Sequence, residues 1–435
     1  MARKMKDSGI EWIGEIPTDF SLYKLKYLLS SPLCYGANES GTLYSDILPR
    51  YIRITDISPN GTLKNSGMLS LDESSAQNYM LHEGDILFAR SGATVGKSFI
   101  YHNYYGRAAY AGYLIKASFN RLVLPEFVYY YTCSSAYEIW KNSIFIQSTI
   151  QNIGADRYSN LPISVPNSID KQLRIVRYLN NFCSKFDAII YNLQTSIEDY
   201  KKLKQAVITQ TVTKGVRGER EMKDSGVEWI GEIPAEWKLS RVGLHFSIIL
   251  GKMLCNAPLN DTYTLEPYYC AADVHFDGVA DGERKKMWFS PIEKDLYRVS
   301  VGDLLVVEGG AGAGGSAIVE KQDSDTYVQN SIMIVRSKGN ADNRYLRYLL
   351  EFLVKQGYID VVCNKATIPH FTKDKLSGVP FCLCPTGEQK EIADYLDAKC
   401  AEIDRLIAKK EQLVKELESY KKSLIYEVVT GKREV

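Results

Sequence analysis

The chain has 435 residues, 53 Lys+Arg against 52 Asp+Glu, with 45% hydrophobic and 24% charged residues. That length predicts two or three domains of ordinary globular composition, and a net charge near zero gives no bulk electrostatic reason to expect nucleic acid. No apolar run approaches the roughly 18 residues that span a bilayer, the charged start lacks the apolar core of a secretory signal, and nine Cys without a CxxC pair argue against a zinc site or disulfide framework and for a reducing cytoplasm.

The first segment, MKDSGIEWIGEIP at 5–17, returns as MKDSGVEWIGEIP at 222–234, with twelve matches in thirteen positions and a spacing of 217. The same offset recurs along the chain. Tyr51, Asp56 and Gly61 face Tyr268, Asp273 and Gly278 at 217, while EGDILFARSGATVGKS (83–98) faces VGDLLVVEGGAGAGGS (301–316) at 218. Thr149, Ile150 and Pro162 face Thr367, Ile368 and Pro380 at 218, and Gln172, Ile175, Leu179, Cys183 and Asp187 face Gln389, Ile392, Leu396, Cys400 and Asp404 at 217. The chain is two half-molecules of one design. The lead-in block is nearly identical in both and the middle diverges, so the first is expected to meet a common partner or the other half, and the second something different in each copy.

After each lead-in block come about 150 residues of short apolar stretches punctuated by Gly, Asn, Asp, Ser and Pro. YIRITDI, DILFAR, AGYLIKA, DLLVVE, SAIVE and SIMIVR read as strands. One helix follows in each half, at 125–141 and 343–359, giving a mixed α/β (α+β) globule. Each half then closes on a long helix, with start signals at Pro166-Asn167-Ser168 and Pro385-Thr386, where Thr386 and Gln389 have capping-box spacing. Apolar residues step by 4 and 3 through Leu179, Phe182, Phe186, Ile189, Leu193, Tyr200, Leu203 and Val207, and through Ile403, Leu406, Leu413, Leu417, Tyr420 and Leu424. This predicts a coiled-coil seam in which the two helices pair, interrupted by Ser196 and Lys410. At 1.5 Å per residue, a helix of about 45 residues makes a rod of roughly 65 Å.

Two stretches imitate phosphate sites. Gly310, Gly312 and Gly315 fit GxGxxG, but a dinucleotide turn must open a helix, and residues 316–335 read as strand, loop, strand. SGATVGKS has three residues between Gly92 and Gly96 where a P-loop needs four. The five His are scattered, HExxH and GxSxG do not occur, and Asp85 and Asp303 read as turn residues entering a strand. No active site is legible.

A lead-in block, a divergent α/β region carrying GDILFARSG and a heptad helix opening near Gln172, all duplicated, resemble the DNA-specificity subunit of type I restriction-modification systems over essentially the whole chain. The resemblance implies two pseudo-symmetric target recognition domains, each reading one half of a bipartite, asymmetric DNA target, joined by two long antiparallel coiled-coil helices. Carried onto this chain, 1–17 and 222–234 are the repeat blocks, 18–166 and 235–385 the recognition domains, and 167–216 and 386–433 the spacer helices. The implied partners are double-stranded DNA, two methyltransferase subunits and restriction subunits, with S-adenosylmethionine, ATP and Mg on those partners and none on this chain. It also implies a ring closed by the first repeat block and the final helix. Two major-groove readers on one duplex face need roughly 34 Å or a multiple between them, which a rigid rod fixes better than a loop.

Direct readout needs polar side chains on protruding segments. Candidates in the first domain are Arg90, Ser91, Thr94 and Lys97 on the glycine hairpin, with Gln147, Ser148, Thr149, Gln151 and Asn152 near the domain's end. In the second they are Asn364, Lys365, Thr367, His370 and Lys373, and the bare second hairpin is expected to approach DNA through its amides. The basic run Arg284, Lys285, Lys286 reads as a solvated face, Trp12 and Trp229 as buried anchors, and Arg53 is replaced by Cys270. Residues 18–168 carry 12 Lys+Arg against 11 Asp+Glu, and 235–385 carry 17 against 18. Phosphate contacts supply most non-specific affinity, so firm DNA binding is expected to need the methyltransferase subunits. The alternative is a bilobal coiled-coil adaptor that binds proteins rather than DNA.

Overall fold

The two copies of the lead-in block fold into the same small hairpin. Met5–Asp7 pairs antiparallel with Glu15–Pro17, and Met222–Asp224 with Glu232–Pro234. Asp7 accepts from the Gly9 amide at 2.9 Å and Asp224 from the Gly226 amide at 2.9 Å. Gly9, Gly14, Gly226 and Gly231 all hold positive φ, a conformation that glycine adopts without Cβ strain. The structure is a computed structural model and describes residues 3–58, 61–92, 94–146, 152–310, 312–321, 325–363 and 369–435.

The chain divides into two units, Met1–Gln194 with Glu411–Val435, and Thr195–Lys410. In the first unit an antiparallel sheet runs in the order Cys34–Tyr35, Leu114–Ala117, Ile86–Ala89, Ser98–Ile100. The second unit repeats it as Phe246–Leu250, Ile332–Ser337, Leu304–Val307, Ser316–Ile318. Its central strands are apolar on both faces because both faces are covered. Ile86 and Phe88 join the core under the long helices, while Leu87 and Ala89 face a smaller cluster. Leu304 and Val306, against Leu305 and Val307, divide in the same way. Each unit also pairs strands in parallel, Ala108–Tyr110 on Arg50–Ile52 and Tyr327–Val328 on Thr264–Tyr269.

Several expected elements are shorter. Only the first two residues of YIRITDI (51–57) belong to a strand, Arg50–Ile52, because Asp56 turns back to accept the Arg53 amide at 2.8 Å and winds Ile54–Asp56 into a 3-10 turn. The helix expected at 125–141 is broken into Pro125–Thr132 and Ser135–Ile146, and that at 343–359 into Asn343–Lys355 and Tyr358–Val362. In the second case Gly357 stands between them in the left-handed conformation.

The long helices are Ile169–Lys214 and Thr386–Val429, of 46 and 44 residues. They pair antiparallel within each unit. In the first, Asp187 meets Lys421 at 2.5 Å, and Ile175, Val176 and Leu179 share a core with Leu424, Ile425, Val428 and Val429. In the second, Lys204 meets Asp404 at 2.7 Å, and Ile208 and Val212 share a core with Ile392, Leu396 and Cys400. The seam lies one residue away from the expected stripe at several turns: Ile189, Leu203 and Leu413 face outward, while Cys183, Ile190, Ile197 and Ile208 are buried. Val176, Cys183, Ile190 and Ile197 recur every seven residues, so the expected period is present on a slightly rotated face. Lys410, an interruption in the seam, lies over the Tyr200 ring at 5.6 Å.

The start of each long helix is clamped to the globule by one buried glutamine. Gln172 accepts from the Leu124 amide at 2.8 Å and donates to the Leu122 and Pro166 carbonyls at 3.0 Å. Gln389 accepts from Asp342 at 2.9 Å and donates to Cys384 at 2.8 Å. The Gln389 side chain is therefore not half of a capping box with Thr386. Higher on each helix Tyr130 donates to Asn180, and Tyr348 donates to Asp397 at 2.8 Å.

The first lead-in block docks on the last helix as the second docks on the first. Arg3 donates to the Gly431 carbonyl at 2.9 Å and Tyr426 to the Ile13 carbonyl at 3.0 Å. In the other unit Arg220 donates to the Lys214 carbonyl at 3.0 Å, and Ile230, Ile233 and Trp237 pack with Ile208 and Val212. The expected contact between the first lead-in block and the final helix is present. Trp12 and Trp229 are partly buried against the two main cores, and Trp229 packs edge-on to Tyr358.

Candidate nucleic-acid interface

In each unit the central strand runs into a glycine hairpin. Gly92 and Gly96 hold positive φ, as do Gly310 and Gly314 at the equivalent positions. A Cβ on Gly314 would meet Val354 at 2.9 Å and Ile359 at 3.0 Å, so this glycine is required by packing as well as by the turn. The strands Ser98–Ile100 and Ser316–Ile318 come next rather than helices, which leaves no helix N-terminus for a phosphate. The Gly310, Ala313, Gly314 and Gly315 amides bond to Pro369, Gly310, Val307 and Gly312 carbonyls. Three of these amides are taken up within the hairpin and the fourth, that of Gly310, by Pro369 of the closing segment, so these four are not free to meet DNA.

The hairpin is zipped to the segment that closes the domain. Ser91 bridges Asn152 in antiparallel fashion, and Gly309 bridges His370. Both partners of the second bridge lie 218 residues beyond those of the first. Arg90, Ser91 and Asn152 thus come together on one edge, with Thr94 and Lys97 in the same turn, where the Lys97 amide donates to the Thr94 carbonyl at 3.0 Å. Lys97 and Asn152 are exposed. In the second unit His370 is exposed beside Gly309, and Lys373 opens the short helix Lys373–Gly378. Gln147, Ser148, Thr149, Gln151, Asn364, Lys365 and Thr367 lie outside the described residues.

Other charged groups are structural. Asp85 accepts from the His82 amide at 2.9 Å and from Ser118, and Asp303 accepts from the Ser300 amide at 2.8 Å and from both forks of Arg336. The Asp303 carboxylate holds the Arg336 guanidinium more firmly in its charged form. Arg284 is not a solvated cation. It pairs with Asp273 at 3.1 Å and lies over the Tyr269 ring at 4.8 Å. Arg53 braces Asp56 in the first unit at 2.8 Å; Cys270 at the equivalent position cannot, and Arg284 reaches across from a later segment to do so. Lys285 and Lys286 remain exposed. Burial pushes the Cys183 thiol up to about 12 and the equivalent Cys400 up to about 11, so neither is a thiolate nucleophile near neutral pH.

Two residues of this edge were not singled out from the sequence. Tyr35 lies under the Arg90 guanidinium at 4.9 Å, with its hydroxyl accepting from the Ala155 amide at 3.0 Å. Its distance from Arg90 in the chain hides the contact. Glu308 stands where the first unit has Arg90, a charge reversal visible in the aligned FARSG and VVEGG segments.

Residues 44–199 and 247–417 match the family model described as "Type I restriction modification DNA specificity domain". Over 438 aligned residues the chain is 26% identical to the putative type I restriction enzyme MjaX specificity subunit of Methanocaldococcus jannaschii, covering 97% of this chain and 95% of that protein. It is 22% identical over 369 residues to the type I restriction enzyme MjaVIII specificity subunit of the same organism, covering 81% and 80%. Among solved structures, a chain described under "complex assembly and conformational transition of the type I R-M system" superposes with a TM-score of 0.72 at 16% identity, covering 96% of this chain and 99% of that one.

Proposed function

From the premise that the chain belongs to the type I restriction-modification DNA specificity family, we propose that residues 18–166 and 235–385 each read one half of a bipartite, asymmetric DNA target. The observation that carries this reading is the duplicated edge. One backbone frame, with Ser91 on Asn152 and Gly309 on His370, presents Arg90, Ser91, Thr94 and Lys97 in one copy and Glu308, His370 and Lys373 in the other. The same scaffold with different side chains is what two readers of unlike half-sites require. Gln147, Ser148, Thr149, Gln151, Asn364, Lys365 and Thr367 adjoin these edges in sequence and complete the proposed contact set.

The chain itself supplies no chemistry in this reading. Two methyltransferase subunits bring S-adenosylmethionine, and restriction subunits bring ATP and Mg, in the cytoplasm. Apolar side chains turned away from the helix seam, among them Ile189, Tyr191, Leu203, Tyr395 and Leu413, are the surface offered to the methyltransferases. With balanced charge in both recognition domains, DNA is held firmly only when those subunits complete the clamp. Family membership sets aside the adaptor that binds proteins alone.

Coexpression of this chain with its methyltransferase, followed by long-read mapping of modified adenine, tests the proposal. One bipartite motif, absent when the chain is omitted, is the expected result. Methylation that is independent of the chain, or confined to an uninterrupted motif, would overturn it.

A further inference from the structure

Two charges of opposite sign stand on one backbone frame. Arg90 leaves the strand Ile86–Ala89, and Glu308, 218 residues later, leaves Leu304–Val307. The Arg90 amide donates to the Tyr113 carbonyl at 3.1 Å, and its own carbonyl accepts from the Ile153 amide at 2.8 Å. The Glu308 amide donates to the Ser331 carbonyl at 2.8 Å, and its carbonyl accepts from the Phe371 amide at 2.6 Å. Tyr113 and Ser331, and Ile153 and Phe371, are themselves repeat equivalents. The frame is shared by the two copies while the charge it carries is inverted.

Neither charge has a counter-ion among the described residues, and both side chains are half-buried. Their neighbours are treated differently: Arg53 has Asp56, Arg284 has Asp273, Arg336 has Asp303 and Lys252 has Glu293. A half-buried charge without a counter-ion has given up part of its hydration and is left open to a ligand. Arg90 is also pre-positioned. Its guanidinium lies over the Tyr35 ring at 4.9 Å, which restrains it, and its Nε is buried without a hydrogen-bond partner among the described residues.

We propose that positions 90 and 308 are the matched base-reading positions of the two domains, with Arg90 donating to O6 and N7 of a guanine and Glu308 accepting from N4 of a cytosine. These are the partners whose donor and acceptor patterns fit a guanidinium fork and a carboxylate in the major groove. The inference rests on the DNA-reading function proposed above. It adds that each half-site contains one G·C pair whose identity depends on a single side chain, and that the two side chains are not interchangeable.

The test uses the full chain with its methyltransferase subunits and duplexes carrying the mapped motif with single base-pair replacements. Arg90→Gln should lose about 10- to 100-fold discrimination at one G·C pair in the first half-site, leaving the second half-site unchanged. Glu308→Gln should do the same at one G·C pair in the second half-site only. Arg90→Lys keeps the charge without the planar fork, and should retain binding while discriminating less. The inference is overturned if both Gln variants keep every preference of the parent, or if the relaxed pair is A·T. Failure of Arg90→Gln and Arg90→Lys alike to fold, judged by thermal melting, would make the guanidinium part of the scaffold and also overturn it. Absence of any bipartite motif for the parent chain sinks the proposed function and this inference together, whereas an intact motif with unaltered variants sinks this inference alone.

Discussion

Asp187 pairs with Lys421 and Asp404 pairs with Lys204, and each residue of one pair lies 217 positions from its counterpart in the other. The first helix lends its Asp to one unit and its Lys to the other, and the second helix does the reverse. This is isologous pairing, residue i to j and j to i, realised within one chain. The carboxylates are half-exposed, so each pair contributes modestly, roughly 0.2–1 kcal/mol. Double-mutant cycles through Asp187→Ala with Lys421→Ala, and Asp404→Ala with Lys204→Ala, are expected to give equal coupling within error. A coupling confined to one pair would show that the two helix contacts are not equivalent.

Gln172 and Gln389 carry more weight, because they are fully buried and each holds backbone groups from two directions. Gln172→Leu leaves the Leu124 amide and the Leu122 and Pro166 carbonyls without their partner. A loss of about 2–4 kcal/mol is expected from that desolvation. Denaturant unfolding should show a comparable loss for Gln389→Leu. Hydrogen exchange should place the weakened amide at 124 in one variant and at 342 in the other. Uniform loosening of the whole chain would contradict a local clamp.

Asp19 joins the first lead-in block to the first long helix through Arg3 at 3.3 Å and Lys171 at 2.5 Å. Burial is the largest single influence and pushes its carboxyl up, but the Lys171 and Arg3 contacts together outweigh it and hold the group below its ordinary value of 3.8. A carboxylate depressed in the folded state stabilises fully above its unfolded pKa, and that contribution fades as pH falls through the folded value. Stability of the parent chain should therefore drop more steeply below about pH 4 than that of Asp19→Asn. Superimposable pH profiles would remove Asp19 from the acid response.

Arg284 offers a contrast between holding the fold and holding DNA. Since its guanidinium is committed to Asp273 and Tyr269, Arg284→Ala should cost about 1–3 kcal/mol of stability as a charged hydrogen bond is lost. It should leave the slope of log binding constant against log salt unchanged, because that slope counts phosphate contacts. A slope reduced by about one would make Arg284 a phosphate contact.

Much of this architecture was legible because the sequence contains its own second reading. The offset of 217 to 218 placed Gln172 with Gln389 and Asp85 with Asp303, and the structure gives each pair one role. The helix period was legible as well, but not its rotation. Ile189 and Leu203 are as apolar as the buried Ile190 and Ile197, and only the partner helix decides which side is covered. The edge was half legible. Arg90 and Asn152 were singled out separately, whereas their proximity depends on the Ser91–Asn152 bridge, a pairing that no local pattern announces. Arg284 misled because a basic run looks the same whether solvated or braced against a carboxylate from another segment.

The most direct measurement of the central claim is a domain exchange. Replacing residues 18–166 with the corresponding segment of another family member, in the presence of the same methyltransferase, should alter one half of the methylated motif and leave the other half intact. A motif changed in both halves, or in neither, would contradict the assignment of one recognition domain to each half-site.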